Sequence, residues 1–137
     1  MITAIIFIII IGILVFVHEF GHFIMAKRAG MKVEEFGFGF PPRIFGIKKG
    51  ETIYSLNWIP FGGFVKIFGE SGEGVDNPRS FVSKSTWARS KVIVAGVAMN
   101  IILAAVLLGI GNFFGIRTAI PEDFSLKAEN IKVQIVY

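Results

Sequence analysis

Two imidazoles and a carboxylate stand within five residues of one another at residues 18–22, where the sequence reads HEFGH. On a helix, His18 and His22 are separated by about 40° of rotation and about 6 Å of rise, so both rings can reach one metal ion. Glu19, about 100° round from His18, is placed to take a proton from an attacking water molecule. This His-Glu-x-x-His pattern is typical of zinc hydrolases. The spacing therefore predicts Zn²⁺ bound by His18 and His22, with Glu19 as the catalytic acid/base.

The HEFGH segment lies near the end of an apolar run, which indicates the element that must position it. Residues 2–25 and 92–116 are two such runs, and as helices each reaches about 36 Å, enough to cross a hydrocarbon core of about 30 Å. We predict transmembrane helices over residues 1–26 and 92–116. A signal peptide is the alternative for the first run, but no basic region precedes that run and no small-residue cleavage site follows it.

The apolar surroundings bear on the interpretation of the two histidines. In a soluble helix, histidines at this spacing are often surface or core residues without a ligand, and spacing alone leaves that alternative open. An ionised glutamate in hydrocarbon costs at least about 2.5 kcal/mol, so such residues persist mainly where they face a bundle interior or a wet cavity. The position of Glu19 inside an apolar run therefore favours the metal site.

Composition and charge distribution point to an integral, multi-pass membrane protein. Hydrophobic residues make up 53% of the 137 residues, and phenylalanine occurs 15 times. Of the 14 Lys and Arg residues, eleven lie between residues 26 and 91, which predicts a cytoplasmic location for residues 27–91, with the N-terminus and residues 117–137 outside. The net charge of +4 therefore reflects topology, and we predict no nucleic-acid partner. Cysteine is absent, which excludes disulfides and a cysteine nucleophile.

The segment between the predicted helices, residues 27–91, is rich in glycine and in aromatic residues with a spacing of two, which predicts β-strands. At residues 36–40 phenylalanines, Phe38 among them, alternate with Gly37 and Gly39. One face of this strand then carries rings and the other is bare backbone. A bare face allows another chain to approach closely.

Residues 52–68 alternate in polarity, break at Pro60 and turn near Gly62 and Gly63, a pattern that predicts a hairpin. The hairpin is unusually apolar, so it either dips into the membrane interface or packs on the helices as an ordinary sheet. The predicted fold class is a membrane protein, mainly α, in which two transmembrane helices flank a membrane-associated β-hairpin region.

The end of the chain carries a further signal. Residues 117–130 form a polar connection, and residues 131–137, IKVQIVY, start a strand for which the sequence offers no partner. Because an unpaired terminal strand is a liability, we expect the natural protein to continue past Tyr137.

Four stretches together carry a resemblance to a known family. They are HEFGH in the first helix, GFGF at residues 37–40, IPFGGFVK at residues 59–66 and GVAMN at residues 96–100. In this order and at this spacing, the chain resembles the N-terminal part of the site-2 protease family of intramembrane zinc metalloproteases, in particular the bacterial members that act in regulated intramembrane proteolysis. The resemblance extends to about residue 116.

The resemblance implies a zinc-dependent endopeptidase of the bacterial cell membrane that cleaves transmembrane segments, such as those of anti-sigma factors or signal-peptide remnants, among membrane lipids. His18 and His22 match the family's histidine zinc ligands, and Glu19 matches its catalytic acid/base. The family's β-hairpin region is thought to hold substrate by strand addition, and Asn100, four residues after Gly96, matches an asparagine that faces the active site. The implied substrate-binding residues are Gly37, Phe38, Gly39, Gly62, Gly63 and Asn100.

The chain also departs from the family pattern. Val97 stands where many members have proline. The family's third zinc ligand is an aspartate in an Asp-Gly motif on a later membrane helix, whereas this chain offers only Asp76 and Asp123, both in polar loops. Residues 131–137 match at most the first strand of the family's PDZ domain. We therefore expect an incomplete N-terminal fragment; the alternatives are a non-catalytic membrane module that binds peptides and a small metal or proton carrier.

Overall fold

The structure is a computed structural model that describes residues 1–115. The contacts divide the chain into two units, Met1–Leu103 and Ala104–Tyr137, and the candidate site lies wholly in the first. The predictions made for residues 117–137, including Asp123 and the terminal strand, lie outside the described residues. The elements, in order, are α1 (Ile2–Arg28), β1 (Val33–Lys49), β2 (Thr52–Ile67) and α2 (Thr86–Phe114).

Both helices are long and apolar enough to cross a membrane, as their apolar runs predicted. Helix α1 ends with Lys27 and Arg28, whose charges interact favourably with the carbonyl end of the helix. Helix α2 begins at Thr86, six residues before the apolar run at residue 92. The earlier start is explained by a cap, because the Ser85 hydroxyl accepts a hydrogen bond from the Ala88 N–H at 3.3 Å.

Strands β1 and β2 form an antiparallel two-stranded sheet, joined by a turn at residues 50–51. Gly50 has φ of 64° there, a conformation that glycine adopts without steric cost. The tight turn of the hairpin thus lies at Gly50, which the sequence pattern did not single out. The predicted turn at Gly62 and Gly63 lies inside β2, at the point where the register of the strand changes.

The register of the sheet is irregular because both strands bend. Residues 43–49 lie opposite 52–57, and residues 33–38 lie opposite 63–67. The first half of β2 also lies beside the first half of β1, since Leu56 and Gly63 are both partners of Phe38. The first half of β1 is therefore flanked on both edges by β2.

This flanking changes the interpretation of the glycine face of β1. A Cβ added to Gly37 would lie 2.5 Å from the Phe64 ring, and one added to Gly39 would lie 2.7 Å from the Ile59 carbonyl oxygen. The close approach that the bare backbone predicted is therefore made by β2 of the same chain. The physical reason is that intrachain pairing satisfies the backbone groups of both edges before any other chain can.

Aromatic rings fix α1 on the sheet. The Phe36 ring lies 5.1 Å from the Phe23 ring and 5.5 Å from the Phe16 ring, measured between ring centroids. It is 8% exposed, and Phe20 and Tyr54 complete its aromatic surroundings. Rings at these distances stabilise the contact beyond the area that they bury. The segment of α1 that carries HEFGH is thus held at a defined height on the sheet.

A buried apolar cluster joins the C-terminal end of α1, the sheet and the start of α2. Its members, all almost inaccessible to solvent, are Ala26, Met31, Val33, Ile67 and Val92. This cluster connects three elements that are far apart in sequence, so it sets where α2 passes relative to the histidines.

Candidate metal centre

His18, Glu19 and His22 form one compact group on α1. One ligand atom from each residue lies within 4.8 Å of the ligand atoms of the other two. The two imidazole rings are 4.8 Å apart between centroids and nearly perpendicular, at 76°. The structure therefore brings together the three residues that the spacing selected, and each of them is half-buried.

The second helix leaves a gap in front of the two imidazoles. A Cβ built on Gly96 would lie 2.5 Å from the Nε2 atom of His18 and 2.5 Å from the Nε2 atom of His22. Both Nε2 atoms thus face one point beside the Gly96 backbone, and any side chain larger than glycine would collide with them. Because both rings approach the same point, they are close enough together to share one metal ion beside it.

Close packing of the two helices brings Gly96 to this position. A Cβ on Gly21, inside the HEFGH motif, would collide with the Ala95 carbonyl group and with the Met99 side chain. Glycine at position 21 therefore allows the α2 backbone to approach α1, as small residues do where helices cross closely.

Each histidine has a polar partner on α2 at its Nδ1 atom. The Nδ1 atom of His22 lies 2.7 Å from the Val92 carbonyl oxygen. A carbonyl only accepts, so His22 carries its proton on Nδ1 and its Nε2 lone pair is free for a metal. The Nδ1 atom of His18 lies 3.5 Å from the Asn100 amide. Partners of this kind orient histidine ligands in metal sites.

Glu19 lies on the side of α1 that faces the sheet. It lines a cleft of about 300 Å³ together with His22, Val65 and Glu70. Its Cγ atom is 3.5 Å from the position that a Cβ on Gly63 would take. No Lys or Arg side chain is among the residues that line this cleft in the described part of the chain. Two carboxylates without a basic neighbour favour the entry of a cation.

The structure places the predicted substrate-binding residues in five different surroundings. Gly63 borders the Glu19 cleft, and Asn100 contacts His18. Gly62 faces the Phe40 ring instead. Gly37 and Gly39 are covered by β2, as described above. Phe38 lies against α1, with its ring 6.0 Å from that of Phe16. A substrate role for these residues stays a prediction.

Asp76, the one aspartate among residues 1–115, lies apart from the histidine group. It lies beside Phe68 and Val75 at a separate surface depression. The only cluster of potential metal ligands in residues 1–115 is that of His18, Glu19 and His22.

Two features of the site were not in the predicted set of site residues. The sequence analysis named Gly96 only as part of the motif GVAMN. The Val92 carbonyl could not be predicted, because every residue has a backbone carbonyl and the sequence does not show which one accepts a hydrogen bond. Both act across about 70 residues of sequence, so only the packing of α2 on α1 reveals them. A glycine within an apolar helix, four residues before an asparagine, was the one available signal for Gly96.

Comparisons with known proteins agree with this geometry. The family model described as peptidase family M50, the family of the site-2 proteases, matches residues 6–136. A zinc metalloprotease RasP of Bacillus licheniformis is 51% identical over 74 residues, which are 54% of this chain and 18% of that protein. The Bacillus subtilis protein named regulator of sigma-W protease RasP shows the same identity and coverage.

A protein of Clostridium acetobutylicum with a provisional zinc-metalloprotease name is 48% identical over 96 residues, 70% of this chain and 28% of that protein. The chain thus spans between about a fifth and three tenths of the length of these curated relatives. The family match covers nearly the whole chain, including every residue of the histidine group. By this match, the chain belongs to peptidase family M50.

Proposed function

We propose that this chain supplies the histidine pair and the catalytic carboxylate of a zinc-dependent intramembrane endopeptidase. The observation that carries the proposal is the grouping of His18, Glu19 and His22, whose ligand atoms all lie within 4.8 Å of one another, with both Nε2 atoms facing one point beside Gly96. The Val92 carbonyl, which fixes the His22 tautomer, supports it further. The zinc-metalloprotease names of the relatives agree with this choice of metal.

A catalytic zinc site needs three protein ligands and an open position. Residues 1–115 supply two of the three, His18 and His22, and we propose that the third ligand comes from outside these residues. Zinc bound there would lower the pKa of a water molecule to about 7 and polarise the scissile carbonyl. Glu19 then accepts the proton of the attacking water on its carboxylate and transfers it to the leaving amine.

We propose that the substrate is a transmembrane segment of another protein, with an anti-sigma factor as one example. The histidines lie within an apolar helix, and one relative is named regulator of sigma-W protease. A helical segment hides its carbonyl groups in its own hydrogen bonds, so it must be extended before attack. Residues 63–67 form an outer edge of the sheet and Gly63 borders the Glu19 cleft. Strand addition at this edge would present an extended substrate to Glu19.

The test compares three variants of the protein in detergent or liposomes with a transmembrane peptide substrate. Glu19→Gln should lower the cleavage rate by about 10²–10⁴-fold, the range for loss of a general acid/base, while bound zinc stays at the wild-type level. His18→Gln should lose both zinc and cleavage. The matched control is Glu70→Gln, which removes the other carboxylate of the same cleft and should retain most of the activity.

Two results would contradict the proposal. One is a Glu19→Gln variant that cleaves at the wild-type rate, and the other is a His18→Gln variant that retains stoichiometric zinc. A protein that binds zinc and transmembrane peptides but cleaves none of them would favour the peptide-binding module. Transport of metal or protons that is lost in Glu19→Gln would favour a carrier.

A further inference from the structure

Asn100 lies one turn of α2 beyond Gly96, with its side chain directed at His18. The amide Nδ2 atom is 3.5 Å from the His18 Nδ1 atom. The amide oxygen Oδ1 is buried and has no hydrogen-bond partner within residues 1–115. A buried acceptor without a donor is unfavourable, and which way hydrogen is donated between Asn100 and His18 depends on the His18 tautomer.

The two ends of an amide are nearly identical in shape, and a rotation of 180° exchanges them. After this rotation the Oδ1 atom faces the His18 Nδ1 atom and accepts its proton. The same rotation pairs the oxygen and moves the amide nitrogen to the buried position that the oxygen held. It also leaves the Nε2 lone pair of His18 unprotonated and directed at the space in front of Gly96, where His22 already directs its own.

The opposite orientation has the reverse effect on the metal site. An amide N–H that donates to Nδ1 of His18 would place the imidazole proton on Nε2, and a protonated Nε2 does not bind a metal. Because both Nε2 atoms face one point beside Gly96, a shared metal ion there selects the orientation with oxygen towards His18.

The geometry points to Asn100 as a positioning residue, whose Oδ1 atom holds His18 in the tautomer with the proton on Nδ1. It is the counterpart of the Val92 carbonyl at His22, so each ligand has one acceptor from α2. This inference rests on the proposed zinc site and gives Asn100 a role towards the metal ligand, distinct from substrate binding.

The first experiment reads the tautomer directly. The chain contains two histidines, so imidazole ¹⁵N spectra of the labelled chain hold two sets of signals, which a His22→Gln variant assigns. We expect His18 to show a protonated Nδ1 and an unprotonated Nε2, both without metal and with zinc. A His18 protonated on Nε2 in the metal-free chain, or bound to zinc through Nδ1, would overturn the inference without any change at Asn100.

The second experiment measures zinc affinity by competition with a chelator. Asn100→Leu keeps the approximate shape but removes the acceptor, and we expect it to weaken zinc binding about 10–100-fold, the usual effect of losing such a partner. Asn100→Asp keeps an oxygen towards Nδ1 and should bind zinc at least as tightly as the wild type. Rescue by aspartate and not by leucine separates a hydrogen-bonding role from simple packing.

The outcomes also separate this inference from the proposed function. A wild-type chain without measurable zinc affinity would count against the proposed function, while the tautomer of metal-free His18 would still decide the role of Asn100. An Asn100→Leu variant with wild-type zinc affinity and an unchanged His18 tautomer, but with a higher KM for a peptide, would overturn the inference in favour of substrate binding. If the leucine variant does not fold, the wild-type spectrum decides.

Discussion

At the scale of single residues, two glycines determine what the histidines can bind. Gly21 admits the Ala95 carbonyl group, which brings α2 against α1. Gly96, one residue after Ala95 on α2, then leaves room for both imidazoles against the α2 backbone. A side chain at position 21 would separate the helices, and one at position 96 would collide with both Nε2 atoms and displace the rings. The close contact of the helices and the approach of the two imidazoles to one point thus depend on the same helix crossing.

Gly96→Ala should abolish high-affinity zinc binding without unfolding the chain. The added methyl group would lie 2.5 Å from both Nε2 atoms, so we expect the affinity to fall by at least about 100-fold, beyond the effect of losing an outer partner. Alanine favours a helix over glycine by about 1 kcal/mol, so lower helix propensity cannot explain the loss. The measurement is the rise in thermal unfolding midpoint on addition of zinc.

Gly109→Ala is the control for this substitution. It introduces the same methyl group on the same helix, at a position where nothing lies within 4 Å of the added Cβ. The Gly109→Ala variant should keep the full zinc-dependent rise in the unfolding midpoint. If Gly96→Ala kept it as well, the metal would not lie between His18 and His22.

The sequence was sufficient for the residues whose relation is local. His18, Glu19 and His22 lie within one and a half turns of a helix, so helical geometry alone brings them together. Gly96 and Asn100 reach His18 only through the packing of α2, across 82 residues in the case of Asn100. Only the family resemblance suggested that Asn100 faces the site, because no periodicity in the chain indicates it. The orientation of its amide could not be predicted from the sequence.

At the scale of elements, the sheet holds α1 through phenylalanines that share one stripe of the helix. Phe16, Phe20 and Phe23 surround Phe36 of β1, while His18 and His22 contact α2 and Glu19 lines the cleft. The helices themselves could be predicted because apolar length is a strong signal. The register of the sheet could not be predicted, because glycine-rich strands specify their pairing weakly. Residues 33–38 could pair along either edge.

Ion pairs around Glu51 tie three elements together. Its carboxylate accepts hydrogen bonds from Lys27 at the end of α1, at 2.9 Å, and from Arg79 in the connection to α2, at 2.6 Å. Glu51 itself lies in the turn between β1 and β2. These hydrogen bonds, first that of Lys27 and then that of Arg79, lower the pKa of Glu51 below its ordinary value of 4.5.

This lowered pKa predicts a loss of stability in acid. Because the folded chain holds Glu51 ionised more strongly than the unfolded chain does, the stabilisation is fully present above pH 4.5 and is lost as the pH falls through the lower folded pKa. Solvent screens these exposed groups, so we expect about 1 kcal/mol or less. Thermal unfolding midpoints measured between pH 7 and pH 3 should fall less steeply for Glu51→Gln than for the wild type.

A second variant tests whether the two partners cause this pH dependence. The double variant Lys27→Gln, Arg79→Gln keeps the carboxylate but removes both of its donors. Its pH profile should be as flat as that of Glu51→Gln. A wild-type slope in either variant would show that Glu51 does not link the end of α1 to the loop in solution.

At the scale of the whole molecule, the proposed crossing of the membrane by α1 sets the depth of the histidines. His18 lies 16 residues after the start of α1 at Ile2, a distance of about 24 Å along the helix axis at about 1.5 Å per residue. The Glu19 cleft is lined by Val65, Ile67 and Glu70 of the segment between the helices. We therefore expect water to reach the site from the side on which residues 27–91 lie.

The concentration of Lys and Arg in residues 27–91 predicts that this side is the cytoplasm. The chain has no cysteine, so a reagent that labels thiols reacts only at a cysteine introduced by substitution and shows on which side of the membrane that position lies. Ile2→Cys, at the exposed N-terminal end of the first span, should react with a membrane-impermeant maleimide in intact cells. Lys48→Cys, on the exposed end of β1, should react only after the cells are permeabilised. The reverse pattern would place the cleft, and the water that supplies it, on the outer side, and charge distribution would then not have set the topology of this chain.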